Sequence, residues 1–165
     1  MAEYSFPMSG AQVADSVTLP EFKIANGIAS YSCDAAADEG FQFEIPQLAT
    51  LSGSMTIDID WYADTATSGN AIFDAAALAY TVGTDSASIE AAAYATAVVG
   101  SATAASGTAH VPVTTTITLT TGAQQDSAAT GDFFQLRVRR LGTNGSDTMA
   151  GDAQVIGVTL SYAAS

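Results

Sequence analysis

Side chains able to do chemistry are few in this chain, and their spacing limits what they can do. Seventeen carboxylates accompany four lysines and arginines, one histidine and one cysteine. Asp58 and Asp60 stand two residues apart with Asp64 close behind, and Asp147 and Asp152 flank a glycine-bearing stretch. Oxygen-rich loops can bind calcium, but the D-x-[DN]-x-[DN]-G loop closed by a glutamate is missing. A two-residue spacing is that of one strand face turned to solvent. One Cys and one His fall short of a zinc ligand set. His110 precedes Val111-Pro112, and no G-x-S-x-G elbow accompanies it, so it reads as a surface or interface residue rather than a base. Among seventeen acids no pair is singled out for glycoside hydrolysis. No phosphate loop, dinucleotide fingerprint or base-stacking motif occurs. The expectation is no catalytic, cofactor or metal site, and no enzyme activity.

The bases carry more information. Arg137, Arg139 and Arg140 lie together in residues 131–140, GDFFQLRVRR. The stretch alternates as a strand does: Phe134, Leu136 and Val138 share one face, and Phe133, Gln135, Arg137 and Arg139 the other, with Arg140 turned away from its two neighbours. In so acidic a chain the arginines need carboxylates. Either they pair within the chain, with acids such as Asp58, Asp60 or Asp152, or one of them stands at a subunit interface, where arginine is enriched.

Such residues must be held by strands. Residues 1–20 read as an extended N-terminal arm, in which Tyr4, Phe6 and Met8 alternate and Pro7, Gly10 and Pro20 interrupt; it is either a frayed terminus or an arm reaching a neighbouring subunit. Asn26-Gly27 between two extended runs predicts a hairpin. Cys33 reads as a small buried hydrophobe. Phe41, Phe43 and Ile45 alternate up to Pro46. In residues 51–63, Met55, Ile57, Ile59 and Trp61 take one face, and Thr56, Asp58, Asp60 and Tyr62 the other. Residues 70–82 are rich enough in alanine for a helix, yet their flanking turns favour a strand with Ala71, Phe73, Ala75, Ala77 and Ala79 on one side. Residues 86–99 hold a short helix or a strand, and residues 101–109 a loop. Val111, Val113, Thr115, Ile117 and Leu119 share a face, and the last strand turns Ile156, Val158, Leu160 and Tyr162 inward. Eight to ten short strands between turn signals predict an all-β chain: a single-domain, jelly-roll-like antiparallel β-sandwich over residues 21–165, preceded by the arm.

Bulk properties set further limits. Charged residues are 13% of the chain, against about 25% in ordinary soluble domains. Much of the hydrophobic 48% is alanine, which predicts a thin core. A net charge of −13 repels phosphate backbones and anionic membranes, so neither nucleic acid nor a membrane is an expected partner. The opening MAEYSFPMSG has no basic and apolar leader pattern, and the expectation is synthesis in a cytoplasm.

Residues 57–77 (IDIDWYADTATSGNAIFDAAA), 117–142 (ITLTTGAQQDSAATGDFFQLRVRRLG) and 147–162 (DTMAGDAQVIGVTLSY) together resemble a family of small structural proteins of tailed bacteriophages. The shared pattern is a strand with Trp-x-Ala, a Thr-Ser-Gly turn, Gly-Asp before the arginine strand and Gly-Asp-Ala before the last. The resemblance implies a jelly-roll virion protein made in the host cytoplasm without a signal peptide: a capsid decoration (cement) protein, forming a homotrimer that clamps the major capsid protein. The alternative it implies is a receptor- or glycan-binding module at a tail-fibre tip, with Tyr62, Tyr80 and Tyr94 as candidate sugar contacts. The family pattern contains no catalytic residues to carry over.

Overall fold

The computed structural model describes residues 1–13, 18–86 and 88–163. Its strands are β1 (Ala2–Pro7), β2 (Gln12–Val13), β3 (Glu21–Ala25), β4 (Ile28–Cys33), β5 (Asp38–Ile45), β6 (Ser52–Ala63), β7 (Asn70–Ala71), β8 (Phe73–Tyr80), β9 (Val98–Val99), β10 (Thr103–Ala104), β11 (Val113–Leu119), β12 (Phe133–Leu141) and β13 (Ala153–Ala163). One sheet runs β11-β6-β13-β4-β3, the other β2-β5-β12-β8-β9, and β7 and β10 form a small ribbon. These strand pairs are antiparallel. The inner faces of the two large sheets share one apolar core, the all-β jelly-roll sandwich that the alternation predicts.

The residues explain the layers. On β6, Met55, Ile57, Ile59 and Trp61 are fully buried, while Thr56, Asp58, Asp60 and Tyr62 stay half-exposed. Trp61 takes its polar atom into the core, where Nε1 donates to Thr115 Oγ1 at 2.9 Å. On β12, Phe134, Leu136 and Val138 are buried against the same core, each side chain contributing about 1.5–3 kcal/mol by leaving water. The alanine-rich 70–82 stretch is strand, not helix: Ala71, Phe73, Ala75 and Ala77 are all buried, with Ala79 partly so. Cys33 is a fully buried free thiol. Asn26 and Gly27, at φ +50° and +78°, form the tight turn between β3 and β4.

Elsewhere the structure departs from the expectation or refines it. In β13 a bulge between Val155 and Gly157 inserts a residue into the ladder with β6 and shifts the side-chain phase. Val155 therefore points inward and Ile156 is half-exposed, while Val158, Leu160 and Tyr162 keep their inward places. The extended N-terminal segment docks on its own chain. β1 pairs with residues 157–162 of β13, beyond the point where β4 pairs with 153–155. Phe6 stacks on Phe43 at 4.6 Å, Tyr4 lies 6.2 Å from Tyr162, and Met8 is buried. The backbone N–H of Ala49 donates to the Tyr4 hydroxyl at 3.1 Å. Residues 14–17 of the expected arm, and Ala87 of the ambiguous 86–99 stretch, lie outside the described residues. The rest of that stretch contains both alternatives in miniature, a 3-10 turn at Ile89–Ala91 and the two-residue β9. The 101–109 loop contains the short β10.

Candidate functional site

β12 is central in its sheet, paired with β5 on one side and β8 on the other. Its outward residues stand in rows across three strands: Glu44–Gln135–Leu78, Gln42–Arg137–Ala76 and Gly40–Arg139–Asp74. Three arginines within four residues thus meet three different environments.

Arg140 points inward and has no exposed surface. Its Nε donates to Asp147 Oδ2 at 3.0 Å and its Nη2 to Oδ1 at 2.8 Å. Nη1 donates to the carbonyls of Cys33 and Gly151, and Nη2 also to that of Met149. The Asp147 side chain is as buried as its partner. This bidentate pair ties residues 142–152 to the end of the sandwich. Arg139 points outward and pairs through both Nε and Nη2 with Asp74, its cross-strand neighbour. Hydrogen bonding to Asp74 pushes the Arg139 guanidinium further above its ordinary range. Gly40 opposite has no Cβ, which leaves room for the Arg139 side chain to lie across it. The partners are therefore Asp74 and Asp147, not Asp58, Asp60 or Asp152. Register places Asp74 beside Arg139, and the inward turn at Arg140 aims it at the 142–152 loop.

Arg137 differs. Its Cζ lies 4.7 Å from the centre of the Tyr94 ring, a cation–π contact. Its Nε is buried and has no hydrogen-bond partner among the described residues. Burial, and then the charge of Arg139, press its pKa below the ordinary guanidinium value. Tyr94 arrives from the connection between β8 and β9, which folds back over the outer face. The N–H of Ala95 fastens it to the carbonyl of Ala77 at 2.8 Å. The Tyr94 hydroxyl donates to Gln42 Oε1 at 2.9 Å, with Gln135 Oε1 at 3.3 Å. Gln135 Nε2 donates in turn to Glu44 Oε1 at 2.9 Å.

Between this connection and the sheet lies a groove of about 520 Å³. Its floor is Gln42, Gln135, Arg137 and Leu78, and its wall Ile89, Glu90 and Tyr94. Two primary amides can donate and accept hydrogen bonds and a guanidinium can donate them at fixed places, while the ring, Leu78 and Ile89 offer apolar surface. The described lining contains no serine, cysteine or histidine, and Glu90 is its one carboxylate. The arrangement fits the binding of a polar, hydroxyl-rich molecule.

The other expected residues lie elsewhere. Of the three tyrosines, Tyr94 forms the groove wall. Tyr80 sits at the adjoining strand end, its hydroxyl donating to the carbonyl of Asp85 at 3.2 Å. Tyr62 lies on the outer face of the other sheet, 5.8 Å edge-on from His110. His110 itself is exposed, with Nε2 at 3.5 Å from Asp64 Oδ1. Asp58 and Asp60 accept from the cross-strand hydroxyls of Thr116 and Thr114, both at 2.6 Å. Asp152 accepts from Ser32 Oγ at 3.0 Å. Among the described residues no three His, Cys, Asp or Glu side chains converge as a metal site. The sequence reading omitted Gln42, Leu78 and Ile89 from any site and gave Gln135 only a strand face. Gln42 between Phe41 and Phe43, and Gln135 between Phe134 and Leu136, carried the available signal: polar residues alternating with large apolar ones.

No family model matches this chain, and no curated protein matches it in sequence. Solved structures do. A xylan-binding module, CBM15, is similar at 15% identity over 99% of this chain and 97% of that one, with a TM-score of 0.55. The C-terminal CBM6 of LamC, a marine laminarinase from Zobellia galactanivorans, is similar at 8% identity over 97% and 99% of the two chains, TM-score 0.50. Xylanase10C from Cellvibrio japonicus, in complex with xylopentaose, is similar at 16% identity over 94% of this chain and 27% of that one, TM-score 0.50. At such identities the likeness is one of fold, and the fold is the jelly-roll β-sandwich that carbohydrate-binding modules share.

Proposed function

We propose that this chain is a non-catalytic glycan-binding module whose site is the groove over β5, β12 and β8. The observation that carries the reading is the groove's lining. Sugar hydroxyls both donate and accept, and so do the amides of Gln42 and Gln135. The C–H face of a pyranose is apolar and suits the Tyr94 ring, Leu78 and Ile89. The volume falls in the range of small-ligand sites, about 300–1,000 Å³, with room for a short oligosaccharide segment. The sandwich shared with carbohydrate-binding modules supports the same reading, as does a lining without a nucleophile or a carboxylate pair.

This is the glycan-binding alternative of the sequence reading; its placement at a tail-fibre tip rests on the phage resemblance alone. Capsid decoration rests on that resemblance too, and none of the structural neighbours named above bears on it. One comparison separates them. A glycan-binding module retards on gels containing xylan or laminarin and leaves capsids alone, and a decoration protein does the reverse. In the first case, Tyr94→Ala weakens binding by about 2 kcal/mol, roughly thirtyfold, as loss of a central aromatic contact does. No retardation by any polysaccharide in a broad panel, or unchanged affinity in both Tyr94→Ala and Gln135→Ala, refutes the proposal.

A further inference from the structure

Resting on that reading, we infer that the groove selects a glycan bearing an isolated carboxylate, a uronic acid substituent on an otherwise neutral chain, and that Arg137 binds it. Arg139 has Asp74, Arg140 has Asp147, and Lys23 has Glu21 at 3.4 Å. Among the described residues Arg137 has no carboxylate within 4.0 Å, although the chain carries seventeen acids. Its Nε is an orphaned buried donor, and such groups in a folded protein call for an explanation. Arg137 is partly buried, and a cation that has given up part of its water with no carboxylate in contact is costly; an entering anion relieves that cost. The guanidinium lines the groove and presents a planar fork suited to carboxylate.

The surroundings say why one carboxylate and not a row of them. On β5, Glu44 is held by Gln135 Nε2; on β12, Arg139 is neutralised by Asp74. The wall adds Glu90, exposed at the rim. Among the described residues, Arg137 is thus the positive group of the groove without a carboxylate in contact, and it is bordered by acids. Beyond it the net charge of −13 repels a polyanion, whereas screening over about 8 Å in physiological salt leaves one short-range contact intact.

The test is calorimetric titration with three probes: a xylo-oligosaccharide carrying one glucuronate, the same compound with its carboxyl reduced to the alcohol, and an oligogalacturonate. We expect the singly acidic probe to bind about tenfold more tightly than its reduced counterpart, as one charge-assisted contact gives. In Arg137→Gln that ratio falls to about one, whatever the variant does to the affinity for the reduced probe. Arg137→Lys keeps the charge without the fork and gives an intermediate ratio, which also covers a poorly folding Gln variant. Equal binding of the matched pair, or a ratio that survives Arg137→Gln, overturns the inference while the groove remains a glycan site. An oligogalacturonate bound as tightly as the singly acidic probe overturns selection for an isolated carboxylate. If no probe and no neutral polysaccharide binds, the proposed function falls, and this inference with it.

Discussion

Replacing Arg140 by methionine removes the charge and keeps much of the volume. It leaves the Asp147 carboxylate in a site with no exposed surface, and it strips donors from the carbonyls of Cys33, Met149 and Gly151. Breaking a buried ion pair from one side costs about 3–5 kcal/mol. That amounts to a drop in Tm of about 6–20 °C for a domain of this size. Urea unfolding at pH 7, followed by fluorescence of the buried Trp61, measures it. Adding Asp147→Asn, which keeps an acceptor for the N–H of Ile72, should recover a large part of the loss at pH 7. A loss under about 1 kcal/mol at pH 7, or no recovery in the double variant, refutes the assignment of Arg140 as the buried tie of the 142–152 loop.

Glu39 tests the same end of the sandwich with the opposite sign. Burial raises its pKa, with the charges of Asp34 and Asp152 adding to the rise, against the Asp34 N–H bond and Arg140. A carboxyl raised on folding weighs against the fold above its folded pKa and ceases to do so as pH falls below the ordinary value near 4.5. Glu39→Gln, which still accepts from Asp34, should therefore melt higher than wild type at pH 7 and show no advantage at pH 4; an unchanged or lower Tm at pH 7 contradicts this. Two glycines separate backbone strain from crowding. Gly27→Ala places a Cβ in open space at φ +78° and should cost about 1–2 kcal/mol in urea melts. Gly69→Ala, at φ +90°, drives a Cβ to 2.6 Å from the carbonyl oxygen of Thr148, and should cost at least about 2 kcal/mol more. Equal costs would mean that the 142–152 loop yields freely.

What the sequence made legible was alternation. Met55 to Trp61 and Phe134 to Val138 alternate without a break, and both runs bury the face predicted for them. Asn26-Gly27 was readable because both turn residues need the left-handed region, which that dipeptide tolerates. Alternation fails where the ladder does. The extra residue at the β13 bulge exchanges Val155 for Ile156, and nothing local to the sequence marks it. The N-terminal segment was legible as extended. That it pairs with β13 depends on the vacant edge past the end of β4, a property of the assembled sheet.

The groove was harder to read, because its parts come from distant places and are brought together by register. Gln42 and Gln135 were each visible as outward residues, but that they flank Arg137 follows from the pairing of β5 with β12. Tyr94 was visible as an aromatic in an ambiguous stretch, and its role depends on that stretch folding back across the sheet. The arginines show the limit most clearly. Alternation alone sends Arg137 and Arg139 outward and Arg140 inward, as found. It does not say that Asp74 lies opposite Arg139 while Ala76 lies opposite Arg137. That difference of one β8 residue type decides which arginine is neutralised within the sheet and which is left to face the groove. An Ala76→Asp substitution makes the point in reverse. An acid directly across from Arg137 would give that cation the intrachain partner Arg139 already has, and the groove would lose its uncompensated charge without losing its amides or its ring.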